Sequence, residues 1–591
     1  MRPALAAALA LAAATAFPAP AWAGHVRTPE CPQELCAAIA ADGSRVAFPF
    51  AEELTPGVRG PEVYEWSAGR LRALVSIPKG APHRPAIGLD GASTDLSHVF
   101  VETSYSLAPE DVDGGLPDIY DVGGATPVLV STGPLDAAGG GASLASYAGA
   151  SADGSRVFFS GLSPFVAEES GTCSGVYERA GGVTGPIATA IKPQEPLPQN
   201  LCHSLAFGGV SGDGSHLFFT TSRDMVPDDE GGDDIYQRVG STLSIVTTYP
   251  EPATNCVDLP KFAASSADGR TVLFATNTAI SPEDTDEAFD VYKREPDGSF
   301  VLVSRGTEGG SGCGFGGDRA VALSADGTVA IFETRARLSP ADTDSSNDLY
   351  RAQEGQAPVL ISTGPTDPNA DEQSKVFPDW VTDVSSDGLS VAFETKQPLV
   401  AADHDRSMDV YVNANGTTEL ASTGPVRGGA AAAAELLGLS DDGQTVVFAT
   451  KGRLTDSDLD RDRDIYLRRV AAKRTLLLSG EEIPPRMRVA RSGRLRASGS
   501  AVVRVACPKT ETSGPCHGNV TLSRGKKRLG RAPFQVAAGR RGPVSVHLPR
   551  SFSPARPVRV LARVRGVDRL GNASLETASV RLALGGGSAG R

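Results

Sequence analysis

Ser151-Ala152-Asp153-Gly154-Ser155-Arg156-Val157-Phe158-Phe159 is the stretch that decides the fold. Asp-Gly is a tight-turn dipeptide, and the apolar run that follows it, ending in Phe, has the composition of a strand. The same order of residue types returns at Asp213-Gly214, leading to Phe218-Phe219, and at Asp268-Gly269, Asp326-Gly327, Asp387-Gly388 and Asp442-Gly443. Asp42-Gly43 is an earlier copy and Asp95-Leu96 a degraded one. The eight copies recur at a mean spacing of (442 − 42)/7, about 57 residues. Repetition at such a period, with many short strands, means a propeller or a β-solenoid.

The other strands of each repeat can be placed around the turn. An apolar run precedes Asp-Gly, and a second strand such as Thr328 to Glu333 follows it. After a polar loop, a third strand opens with Asp, an aliphatic residue and Tyr, as in Asp118-Ile119-Tyr120, Asp234-Ile235-Tyr236, Asp290-Val291-Tyr292, Asp348-Leu349-Tyr350, Asp409-Val410-Tyr411 and Asp464-Ile465-Tyr466. A fourth strand ends in Ser-Thr-Gly-Pro at Val128 to Pro134, Val359 to Pro365 and Glu419 to Pro425. Four antiparallel strands make one propeller blade, so the expected fold is all-β, an eight-bladed β-propeller over residues 24–480. The first copy carries its own inner strand (Ala37 to Ala41) and the last its own fourth strand (Thr475 to Ser479), so no swapped strand is expected to close the ring.

These repeats resemble the TolB-type, WD40-like propeller repeats of bacterial envelope proteins, whose blades carry a Ser-Pro-Asp-Gly turn, an apolar-Phe strand and an Ile-Tyr strand. The resemblance covers about three quarters of the chain. It departs from the pattern in lacking the Pro of the turn and the Trp often found before it. It implies a scaffold that binds other molecules more often than a catalyst. In such a blade the loops leading into the first strand and those joining strands two and three lie on one face. That places Cys202, Cys256, Cys313 and Cys173 together and suggests the pairs Cys173–Cys202 and Cys256–Cys313, with Cys31–Cys36 a local loop.

Composition and the N-terminus point to export. Among 591 residues, 40% are apolar and 21% charged, which permits a packed core, and the 66 Gly and 42 Pro suit a turn-rich β protein. Arg2, the apolar stretch Ala4 to Phe17 and Ala21-Trp22-Ala23 read as a signal peptide over residues 1–23, with no Cys after the cut to carry a lipid anchor. No later run is long enough to span a bilayer. Eight cysteines, none in a Cys-x-x-Cys pair, fit four disulfides in an oxidising compartment.

From Glu481 the repeat stops and the charge reverses. Residues 481–591 hold 22 Lys and Arg against five Asp and Glu, leaving 34 against 65 in residues 1–480. Alternating runs such as Ala501 to Ala506, Val544 to Leu548 and Val558 to Val564 predict about seven strands, an immunoglobulin-like β-sandwich over 481–584 with a Gly-rich disordered tail at 585–591. Cys507 and Cys516 suggest a hairpin disulfide. The basic module would hold an anionic cell-surface polymer or dock on the acidic propeller. Export and the scarcity of aromatic residues there argue against nucleic acid.

The recurrent polar feature is an acidic loop before the third strand: Asp228, Glu230, Asp234; Asp284, Asp286, Asp290; Asp342, Asp344, Asp348; Asp403, Asp405, Asp409; and Asp458, Asp460, Asp464. A stretched version is Asp111, Asp113 and Asp118; the first copy keeps only Glu62, and the third breaks at Ser174-Gly175. Closely spaced carboxylates with free carbonyls suit calcium, which takes six to eight oxygens, but Asp is also a turn former and the spacing is not that of an EF-hand. No other cofactor is implied. The sequence has no Gly-x-Ser-x-Gly, no His-Glu-x-x-His and no phosphate loop, and its eight His residues are scattered, with His203 and His216 flanking one inner strand. The expectation is an exported, non-catalytic propeller that binds an envelope protein or polysaccharide through its cysteine-bearing face. The alternative is a secreted polysaccharide hydrolase or lyase with its site in the funnel.

Overall fold

A computed structural model of the protein describes residues 37–584 except for a set of loops, chiefly 55–61, 76–86, 134–144, 166–174, 188–205, 228–233, 248–259, 306–317, 367–381, 427–431, 480–486, 509–514 and 568–572. All described elements are strands. The first 32 form eight separate four-stranded antiparallel sheets, each built from four consecutive strands. These are the eight blades. Blade 1 runs from Ala38–Ile39 to Arg70–Ala73 and blade 8 from Ala434–Leu439 to Arg474–Leu477, so the first and last blades are complete in themselves.

The recurrent Ser-x-Asp-Gly explains itself in the turn between the first two strands. In blade 6, Ser324 Oγ donates to Asp326 Oδ1 (2.7 Å) and accepts from the Val329 N–H (2.8 Å), while Asp326 Oδ1 accepts from the Thr328 N–H (3.0 Å). Blades 3, 5 and 7 repeat the clamp through Ser151, Ser266 and Ser385. Gly327 sits at φ +75°, and a Cβ there would lie 2.7 Å from Thr271 Oγ1 of the preceding blade. The glycine therefore meets two demands, a left-handed backbone and a close approach between blades. Blade 2 puts Leu96 at this position, at φ 55°. That conformation costs a non-glycine residue roughly 1–2 kcal/mol, and Leu96 offsets it by burying its side chain in the blade 2 core.

The residue before each turn Asp stitches the blades into a ring. Ala41 N–H donates to Thr94 O, Thr94 to Ala152, Ala152 to Gly212, Gly212 to Ala267, Ala267 to Ala325, Ala325 to Ser386 and Ser386 to Asp441, all at 2.8–3.0 Å. Asp442 N–H to Ala41 O, at 3.2 Å, closes the circle. Side chains seal the same junction: Val46, Phe48, Tyr64 and Trp66 of blade 1 share a core with Leu437, Val447, Ile465 and Leu467 of blade 8. Within blades 4 to 8, a second-strand Phe stacks on the third-strand Tyr at 5.6–6.0 Å between ring centres.

The C-terminal eight strands form one continuous sheet around a single core. Ser500–Ala506 takes Arg488–Val489 and Ser492–Leu495 along one edge and Arg541–His547 along the other. Ser492–Leu495 also pairs in parallel with Ala573–Leu584, and the sheet continues through Val558–Val567 and Cys516–Arg524 to Lys527–Val536. The eight strands of the expected sandwich are joined into one hydrogen-bonded sheet because the short strand Ser492–Leu495 pairs with both Ser500–Ala506 and Ala573–Leu584. Cys507 and Cys516 are bonded, with Cα atoms 5.7 Å apart. The expected hairpin is corrected: the strands next to these cysteines are not hydrogen-bonded partners, so the bond ties two separate parts of the sheet. Cys31, Cys36, Cys173, Cys202, Cys256 and Cys313 lie outside the described residues. No helix among the described residues is long and apolar enough to cross a membrane.

Candidate functional site

The acidic loops tie the strands of each blade to one another. In five of the triads the first Asp accepts a hydrogen bond from the third-strand Tyr hydroxyl: Asp284 from Tyr292 (2.5 Å), Asp342 from Tyr350 (2.6 Å), Asp403 from Tyr411 (2.5 Å), Asp458 from Tyr466 (2.5 Å), and Asp111 from Tyr120. The last Asp accepts from a fourth-strand hydroxyl: Asp118 from Ser131, Asp234 from Thr247, Asp290 from Ser304, Asp348 from Ser362, Asp409 from Ser422 and Asp464 from Ser479, at 2.5–2.9 Å. Each of those hydroxyls accepts in turn from the N–H that follows the Asp, as Ser422 does from Val410 (3.1 Å). A buried tyrosine hydroxyl needs such a partner, so the motif pins strand to loop.

Blade 7 alone shows its whole triad. Asp113, Asp228, Glu230, Asp286, Asp344 and Asp460 lie outside the described residues. In blade 7, one oxygen each of Asp403, Asp405 and Asp409 lies within 4.8 Å of the others. Asp405 is the exposed member and accepts from Ser407 N–H at 2.7 Å. Burial, followed by repulsion from Asp403 and Asp405, pushes the Asp409 carboxyl up to about 7. A cation of the calcium type would favour the ionised form of all three.

A second cluster, which the repeat pattern did not reveal, lies where blades 2 and 3 meet. Asp90 is the extra residue of a bulge in the innermost strand Gly88–Ala92, between Leu89 and Gly91. The matching bulges hold Ala148, Gly208, Ala263, Val321 and Leu437. Asp90 is accessible at the inner edge, yet protein crowds its carboxyl, and that desolvation, with the Glu102 carboxylate second, pushes it up to about 7. Glu102 is itself raised by burial and accepts from Ser146 Oγ at 3.2 Å. Tyr147 stacks on Phe100 at 5.5 Å, and its hydroxyl occupies the space a Cβ on Gly91 would need. The available signal was a lone Asp within an otherwise small, apolar inner strand. At the junction of blades 7 and 8, Glu394 is also raised to about 7 by burial and accepts from the Leu436 N–H.

The histidines do not assemble. His203 lies outside the described residues. His216 packs beneath Gly269 of the next blade, and burial lowers its pKa. His98 pairs with Asp121 at 2.6 Å. A cleft of about 760 Å³ is lined by Glu65, Arg70 and Arg72 of blade 1 and by Pro515, His517 and Gln535 of the C-terminal sheet. The propeller side of this cleft thus carries arginines as well as an acid.

No protein-family model matches the sequence, and no curated protein matches it. Among solved structures, a prolyl endopeptidase aligns with 71% of this chain at 13% identity and a TM-score of 0.39; the chain spans 54% of that protein. An oligogalacturonate lyase from Vibrio parahaemolyticus aligns with 68% of the chain, and 89% of its own, at 10% identity and TM-score 0.31. The lectin BP39L from Burkholderia pseudomallei aligns with 76% of the chain, and 99% of its own, at 10% identity and TM-score 0.28. At these scores the similarities carry no argument about activity.

Proposed function

We propose that the chain is an exported, non-catalytic propeller scaffold of the TolB type, working at the bacterial cell envelope or in the extracellular space by binding a protein or a polysaccharide. One observation carries this reading. The polar residues that recur from blade to blade (Ser, Asp, Tyr and the strand-four hydroxyl) are joined to one another in hydrogen bonds that hold the blades. The surfaces left for recognition are therefore the variable loops and the basic C-terminal sheet. The test is a screen of residues 24–591 against polysaccharides and envelope extracts, scored for retention and for turnover. Retention without turnover is expected; turnover above a blank would sink the proposal.

Asp90 and Glu102 favour a second reading, a polysaccharide hydrolase or lyase. Two carboxyls that influence one another, one of them exchanging its proton near neutrality, match what general acid catalysis needs. On this reading Asp90→Asn abolishes the turnover that the screen detects.

The acidic loops are proposed as calcium sites on the strength of blade 7, with Asp403, Asp405 and Asp409 as ligands. A thermal melt in EDTA and again in millimolar calcium decides the matter. A ligand that binds only the folded chain raises the melting temperature by mass action, and an unchanged melt would leave these acids as turn formers.

A further inference from the structure

We infer that the outward face of the C-terminal sheet is a docking surface for a linear polyanion that carries its charge on phosphate groups. The inference deepens the binding-protein reading and rests on it.

Strand register places the residues. On Val558–Val567 the side chains of Val560, Ala562 and Val564 are buried in the core, so Arg559, Arg563 and Arg565 face outward, and all three are exposed. Arg581 lies directly opposite Arg559, and Thr577 opposite Arg563. On the other side Thr521 stands opposite both Arg563 and Arg531, and Ser523 opposite Arg528. Strands lie about 4.8 Å apart and alternate residues along one strand about 6.8 Å apart. Six guanidiniums, interleaved with hydroxyls, therefore share one face.

Among the described residues, nothing on that face neutralises them. Glu576 is the one carboxylate among the described residues of this domain. It sits opposite buried Val564, on the register of the core side. None of the six arginines has an ion-pair partner among the described residues. Like charges directly opposite across two strands repel, so the Arg559–Arg581 pair opposes sheet stability. A local feature that works against the fold, with no compensation among the described residues, points to a ligand that supplies the missing charge.

The chemistry narrows the ligand. Guanidinium forks bind phosphate oxygens in pairs, and Ser and Thr hydroxyls add single donors. The face carries no Phe, Tyr or Trp, so it has no platform for stacking bases and reads only a charged backbone. The opposite outer face, on Ser500–Ala506 and Arg541–His547, exposes Arg504 and Arg541 among Val502, Ala506, Pro543 and Ser545. It supplies a control within the same domain.

The experiment uses residues 24–591 and measures affinity for linear polyphosphate and poly(glycerol phosphate), with heparin as the sulfate arm and dextran as the uncharged control. Arg563→Ser/Arg565→Ser is expected to weaken binding to the phosphate polymers at least tenfold. It should also lower the slope of log affinity against log salt by roughly 1.4, the value for two lost phosphate contacts on a single strand. Arg504→Ser/Arg541→Ser, which removes the same charge, is expected to change affinity less than twofold. Equal losses in the two variants would overturn the inference in favour of net charge alone. Tighter binding to heparin than to either phosphate polymer would overturn the phosphate assignment. Absence of binding to every polyanion at low salt would end the inference while leaving retention of proteins or neutral glycans, and so the binding-protein reading, intact. Turnover of a glycan would instead strike that reading and leave the face in place.

Discussion

The propeller and the C-terminal sheet use polar residues in opposite ways. In blade 7, Asp403 is tied to Tyr411, Asp409 to Ser422, and Ser385 to Asp387, all through short contacts in largely buried surroundings. In the C-terminal sheet the polar residues are mostly arginines that point to solvent from alternate positions, above a core of Val, Ala and Leu. The first arrangement makes polar groups part of the fold; the second leaves them free of it. Substitutions should therefore fall into two classes of effect on stability.

The largest effect is expected at the junctions between blades. Gly388 sits at φ +71°, and a Cβ there would lie 2.7 Å from Val329 Cγ1. Gly388→Val should cost about 3 kcal/mol or more from backbone strain and overpacking, read as a drop in the denaturant midpoint. An unchanged midpoint would mean that the blades can slide apart without penalty. Tyr411→Phe comes next. It leaves the buried Asp403 oxygen and the Leu399 N–H without their hydroxyl, and should cost about 1–3 kcal/mol by the same measurement.

The dependence on pH separates the regions more finely. Asp90, Glu394 and Asp409 are each raised to about 7, so the folded state holds protons that the unfolded state releases from about pH 4 upward. Stability from these groups is full below their unfolded values and falls as pH rises toward 7. The turn carboxylates run the other way: hydrogen bonds from Ser97 lower Asp95 to about 2, and Asp153 and Asp326 are also lowered, so their contribution is lost as pH falls below about 4. The melting temperature should peak between about pH 4 and 5. Asp409→Asn should flatten the decline above that range, and a curve unchanged by the substitution would remove Asp409 from the account. The smallest effect is expected in the C-terminal sheet, where Arg563→Ser should shift stability by no more than about 0.5 kcal/mol. A larger loss would show that the arginine face is structural after all.

The blades were legible in the sequence because each is written locally. Asp-Gly fixes a turn, the Phe run a strand, and Asp-x-Tyr the next strand, all within one period. The partners of those residues were harder to read, because Gly327 packs on Thr271 of another blade and the triad acids bind hydroxyls about 13 residues away, as Ser422 does Asp409. Asp90 escaped notice because a bulge is a relation between two strands, not a motif in one. The C-terminal alternation gave strands but not their pairing, since Ser492–Leu495 joins two halves of the sheet that are far apart in sequence.

The circle of backbone hydrogen bonds has a consequence for how the chain can be cut. The link from Asp442 to Ala41 is a backbone hydrogen bond at the same turn as the seven links within the chain, donated one residue later, and no strand crosses it. The propeller therefore has no privileged beginning. In the propeller without its C-terminal sheet, joining the ends of blades 8 and 1 by a linker and opening the chain between any other two blades should yield a circular permutant that rebuilds the same ring.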